Sequence, residues 1–188
     1  MTMMVKKFLK SGKIETILEF LIKFNLLAIP LYAAIFYGIE FLPLQKMTAF
    51  LSYILLQSMG YNVELQGTVL TFNGSQFSSN ILIDTDCTAW KSMYALAALM
   101  IASPAMNDRK KLVYILIGMS AVYASNILRI VSTICIADAL GPQYMDIIHT
   151  LLWREAMIFV VIIVWYTWLK RQKIISDKNE TMFKKLYN

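Results

Sequence analysis

The chain is 188 residues long, 58% hydrophobic and only 16% charged, with a formal net charge of +6. Soluble domains carry about 45–50% apolar and about 25% charged residues, so this chain holds more apolar side chain than a soluble core of its size can bury. One histidine and two separated cysteines leave no tetrahedral metal set, and no cofactor is expected.

Residues 1–13 form a basic segment with Lys6, Lys7, Lys10 and Lys13. The first apolar run covers 14–42 and is interrupted by Pro30. It is too long for the apolar region of a signal peptide and has no small-residue cleavage site after it, so it reads as an anchor that stays. Residues 43–86 follow as an external segment. Within it, Leu44 to Gly60 is helical in pattern but short and amphipathic, which predicts an interfacial helix on the outer face. Beyond it "YNVELQGTVLTFNG" alternates and predicts a short external hairpin. Asn73-Gly74-Ser75 in that stretch is a glycosylation sequon on the matching side.

A second span is expected over 87–103, short and carrying Lys91. Arg109, Lys110 and Lys111 then form a basic connection. A third span is expected over 112–137 and a fourth over 147–169, with the basic tail at 170–188. A span needs about 20 largely apolar residues. The three basic segments fall on one side of four spans, which satisfies the positive-inside rule with both termini cytoplasmic. If 44–60 also crossed, the two later basic segments would end up outside. The fold class expected is therefore an all-α integral membrane protein of one domain: four transmembrane helices, an outer interfacial helix and a short external hairpin. The charge is explained by span-flanking segments, and no nucleic-acid partner is expected.

Three unusual polar residues fall at one depth on the outer side. Cys87 stands where the acidic stretch "IDTD" turns into the second apolar run. Asp86 or Thr85 is placed to cap a helix there. Cys87 in its first turn would have its thiolate favoured by the helix dipole, with Lys91 one turn on. Lys91 is equally placed to snorkel. Arg129 lies seventeen residues past Leu112, a rise of roughly 25 Å, near the outer edge of a core about 30 Å thick. Ser125, Asn126, Ser132 and Thr133 surround it at helical spacing. His149 opens the fourth span on the same side, followed by Arg154 and Glu155. A thiolate attacks, a histidine moves the proton and a cation holds the oxyanion, the division of labour in a Cys-His hydrolase or acyl transferase. Each residue also has a structural reading: Cys87 as packing, Arg129 as an ion pair with Glu155 or Asp138, His149 as an interfacial helix starter. Cys135 reads as packing in mid-span. Trp165, Tyr166 and Trp168 read as an inner interfacial belt.

"DTDCTAWKS" around Cys87, "SNILRIVS" around Arg129 and "IIHTLLW" around His149 resemble the three motifs of the exosortase/archaeosortase family. The resemblance covers about Asp84 to Leu169. Asn126 and Arg129 give the family's N-x-x-R, while Thr88-Ala89-Trp90 stands where many members have a serine-glycine pair. The chain is also more compact than many bacterial members, closest in form to an archaeosortase. The resemblance implies a membrane cysteine transpeptidase. It would recognise a C-terminal tail of exported proteins made of a short motif, one transmembrane helix and a basic cluster. It would cleave near the motif at the extracytoplasmic face and transfer the new carboxyl end to an acceptor, in archaea a lipid. Cys87 would be the nucleophile, His149 the proton carrier and Arg129 the group that holds the carbonyl or oxyanion.

Two other classes compete. A membrane thiol oxidoreductase needs a second cysteine near Cys87, and C-x-x-C is absent; a Cys87–Cys135 disulfide would revive it. A non-enzymatic small transporter or assembly subunit would use Arg129 and Glu155 to line a path, and Cys87→Ala would then be harmless.

Overall fold

The computed structural model describes residues 2–76, 78–103, 108–141 and 156–186, with side chains described for 14–76, 78–103, 111–141 and 156–172. The elements in order are α1 (Thr2–Phe36), α2 (Leu42–Ser58), β1 (Asn62–Gln66), β2 (Val69–Asn73), β3 (Ser78–Leu82), a 3₁₀ turn (Thr85–Thr88), α3 (Trp90–Ala102), α4 (Asp108–Leu140) and α5 (Met157–Leu186).

The first apolar run and the basic segment before it form one continuous helix, α1, with Pro30 inside it. It ends at Phe36, six residues short of the expected 42, because Gly38 takes φ 60 and closes a Schellman end. There Gly38 N donates to Ile35 O, and Ile39 N to Ala34 O. Among the described residues two helical stretches are long and apolar enough to cross a membrane, Ile14–Phe36 and Lys111–Leu140.

α2 is built inside out. Its buried stripe at helical spacing is small or polar: Gln45, Thr48, Ala49, Ser52 and Leu56. Its outward face carries Met47, Phe50 and Ile54. The same holds for the outer faces of α1, α4 and α5, where Ile22, Ile117 and Phe159 are each 60% exposed or more. Apolar side chains exposed on this many helices mark membrane or protein contact faces rather than the ordinary surface of a soluble monomer.

The expected hairpin is β1–β2, closed by a two-residue turn at Gly67, but a third strand joins it. The sheet is antiparallel with order β1-β2-β3, so the chain is mostly helical and not all-α. β3 was not legible because "SSNIL" opens on three polar residues and shows no clean apolar alternation.

Two cores result. One places Leu56 of α2, Leu70 and Phe72 of the sheet and Ile134 of α4 together. Burying each of these side chains stabilises by about 1.5–3 kcal/mol. The other joins Leu96 and Met100 of α3, Val122 of α4, and Val161 and Trp168 of α5. Trp168 is thus a core residue, not a belt residue, whereas Tyr166 is exposed. α4 runs through both cores and is the beam that relates sheet to bundle.

α3 is shorter than the expected span 87–103. It has 13 residues, about 20 Å of rise, against a hydrocarbon core of about 30 Å. Lys111 of α4 closes its C-terminal end by donating from Nζ to Ile101 O at 2.9 Å and Ser103 O at 3.0 Å. α1 docks on this bundle through the Tyr94 hydroxyl, which donates to Leu27 O at 2.8 Å, and through Phe20 stacked on Trp165. Of the expected fourth span, residues 147–155 lie outside the described residues; α5 continues past 169 to Leu186.

Candidate active site

Cys87 lies in the 3₁₀ turn, outside the helices, between the end of β3 and the start of α3. The cap is Asp84, not Asp86 or Thr85: its Oδ1 accepts from Cys87 N at 2.9 Å. Gln45 Nε2 of α2 donates to Thr85 Oγ1, and Thr88 Oγ1 donates to Thr85 O at 2.7 Å. Ala89 then adopts the left-handed region at φ 57, ψ 16, an arrangement that costs an alanine about 1–2 kcal/mol. It breaks the turn from α3 so that Cys87 is not in the first turn of that helix. Backbone held in such a state by its surroundings is typical of a functional turn.

The thiol differs from the sequence expectation as well. Burial, and then the Asp84 carboxylate hydrogen-bonded to the thiol, push its pKa up to about 11, against a smaller downward pull from Arg129. At neutral pH Cys87 rests as a thiol and not as a thiolate. Lys91 does not activate it: its ammonium pairs with Asp86 at 2.7 Å and lies over the Trp90 ring.

Across from the turn stands α4. Asn126, fully buried, donates from Nδ2 to the carbonyl oxygen of Cys87 at 2.7 Å. Its Oδ1 is buried with no hydrogen-bond partner among the described residues. One turn on, Arg129 is 9% exposed and makes no ion pair among the described residues. A buried guanidinium is costly, and an ionisable group at such a depth marks a functional site by default. Asp138, one proposed partner, accepts instead from Ser75 Oγ at 3.1 Å and Gln76 N at 2.9 Å, clamping the β2–β3 loop onto the end of α4. Of the polar stripe, Asn126 and Thr133 turn inward, whereas Ser132 is exposed and Ser125 Oγ bonds its own helix at Ala121 O.

Cys87 and Arg129 line one cavity of about 380 Å³ together with Ser79–Asp84, Ile130, Thr133 and Ile134. Arg129 and Asn126 also line a smaller one of about 170 Å³ with Asp86, Lys91 and Met157. The structure thus brings together Cys87, Arg129 and Asn126. Cys135 is a half-buried free thiol packed on the sheet–α4 core, and Cys87 is free too. His149, Arg154 and Glu155 lie outside the described residues.

Asp84 and Gln45 are the site residues that sequence reading missed. Asp84 had a signal: an Asx residue three before a backbone N–H in a turn is the N-cap spacing. Gln45 had none, since its partner is forty residues away.

A neutral thiol, a guanidinium with no ion pair among the described residues and a cleft between them suit attack on a carbonyl. The family model of the transmembrane exosortases matches residues 16–164. No curated protein and no solved structure matches the chain.

Proposed function

Because the chain belongs to the transmembrane exosortase family, and so to membrane cysteine transpeptidases of protein sorting, we propose that it cleaves C-terminal sorting tails of exported proteins at the extracytoplasmic face. It transfers the new carboxyl end to an acceptor, a lipid, in the manner of the compact archaeosortases. The observation that carries this reading is the shared cavity of the Cys87 thiol and the buried Arg129 guanidinium, which makes no ion pair among the described residues.

The Cys87 Sγ attacks the scissile carbonyl while His149 takes the thiol proton. A resting thiol with a raised pKa fits proton removal during attack rather than a standing thiolate. Arg129 holds the oxyanion of the tetrahedral intermediate. The C–N bond breaks as His149 returns the proton to the leaving amine, which leaves a Cys87 thioester. An acceptor hydroxyl then attacks the thioester, gives up its proton, and regenerates the thiol. A substrate anchored by its own helix is held at the depth of the site, which supplies part of the positioning.

The test is processing of a tail-bearing substrate in membranes containing the wild type, Cys87→Ala, Arg129→Ala or His149→Ala. All three variants are expected to insert normally and to lose processing. Retained processing in Cys87→Ala would overturn the reading.

A further inference from the structure

The cavity beside Cys87 is lined by six consecutive residues, Ser79 to Asp84. The face of a strand contributes every second residue, because side chains alternate across it. A consecutive run means that β3 meets the cavity along its edge. β3 is an outer strand of the sheet and pairs only with β2 among the described residues.

The ladder fixes which main-chain groups are left over. Ile83 N donates to Thr68 O at 2.9 Å, continuing the register that sets Leu82 opposite Val69 and Ile81 opposite Leu70. In an antiparallel pair the bonded residues alternate. Ser79, Ile81 and Ile83 therefore turn their N–H and C=O groups to β2, and Asn80 and Leu82 turn theirs outward. Natural sheets protect such an edge with charge, proline or a bulge. "SSNIL" has no charged residue and no proline, and Leu82 is 61% exposed.

We propose that the β3 edge is the docking strand for the substrate. An extended peptide segment ahead of the scissile bond adds to the sheet through the main-chain groups of Asn80 and Leu82. The next carbonyl along that segment reaches Cys87 and Arg129. The proposal rests on the peptide-cleaving reading above. At about 3.3 Å per residue, β3 offers roughly 16 Å, room for a segment of four or five residues. Main-chain pairing supplies affinity, and alternate side chains over the exposed Leu82 and Asn80 supply selection.

The experiment uses the full chain in liposomes. The probe is a synthetic polypeptide pool with a randomised segment, then an apolar helix of about 20 residues, then a Lys/Arg cluster. A cleaved member is resynthesised with a single backbone N-methyl group at each position ahead of the cut. N-methylation removes one N–H and is expected to lower cleavage about tenfold at alternating positions and little between them. Asn80→Pro and Leu82→Pro delete only outward N–H groups of an edge strand and are expected to raise KM about tenfold with kcat retained. Cleavage indifferent to N-methylation at every position would overturn the docking strand while leaving Cys87 chemistry standing. No cleavage of the unmodified pool by the wild type would overturn both.

Discussion

Asn126 donates from Nδ2 to the carbonyl oxygen of Cys87 at 2.7 Å, and so ties the turn that holds the thiol to the helix that holds Arg129. The Asn126 end of this bond is fully out of water, whereas Cys87 is half-buried. Removing it costs the half-buried carbonyl its partner, at about 0.5–1.5 kcal/mol. Asn126→Ala is expected to lower Tm in detergent accordingly. Its processing rate should fall through kcat, because the distance between thiol and guanidinium is no longer fixed. An unchanged kcat would mean that the bond is merely structural.

Arg129 yields the opposite stability signature. It is buried with no carboxylate partner among the described residues, so replacing it orphans no acid there. Arg129→Met is expected to keep or raise Tm while abolishing processing. Arg129→Lys retains the charge but not the planar fork, and should recover only a small part of the rate. A large loss of Tm in Arg129→Met would assign the residue to structure.

How much of this was legible follows from where each signal lives. The apolar runs behind α1 and α4 are long enough to be read from composition alone, Asn126 follows from its helical spacing to Arg129, and Cys87 was marked by the change from acidic to apolar residues. What failed was short-range geometry. Nothing in an alanine announces the left-handed conformation of Ala89, so α3 was expected to start at Cys87 and the dipole to favour a thiolate. Asp84 and Asp86 are chemically alike, and only the turn decides that one caps Cys87 while the other pairs with Lys91. β3 is held by its pairing with β2 and not by local preference, which is why its edge role was invisible.

The resting state of the thiol predicts a pH profile. The Cys87 pKa stands at about 11 against an ordinary 9.0, first through burial and then through Asp84. Site-resolved alkylation by a neutral reagent is therefore expected to rise with pH well above 9. Asp84→Asn removes the neighbouring negative charge and should shift that profile down. The sign for stability is fixed as well: the neutral thiol's contribution is complete below about 9 and is lost as pH rises through about 11. A profile with its midpoint near neutrality would contradict the raised pKa.

The β2–β3 loop is clamped by the Asp138 carboxylate, and Gly74 lies directly against it. A Cβ at Gly74 would meet Asp138 Oδ1, and it would come within 2.6 Å of the Phe72 ring. Gly74→Ala is expected to destabilise by about 1–3 kcal/mol, as overpacking of a filled site does. Thermal unfolding in detergent checks this, and an unchanged Tm would show that the loop is free to move away from α4.

The most direct test of the central claim traps the intermediate. Wild type and Cys87→Ala are incubated with a tail-bearing substrate and hydroxylamine, and the products are read by mass spectrometry. The wild type is predicted to release the tail helix and leave a hydroxamate at the new carboxyl end, while Cys87→Ala leaves the substrate intact. Without hydroxylamine, the added mass identifies the acceptor. Equal processing by both proteins, or release by the wild type with no hydroxamate, would contradict a Cys87 thioester.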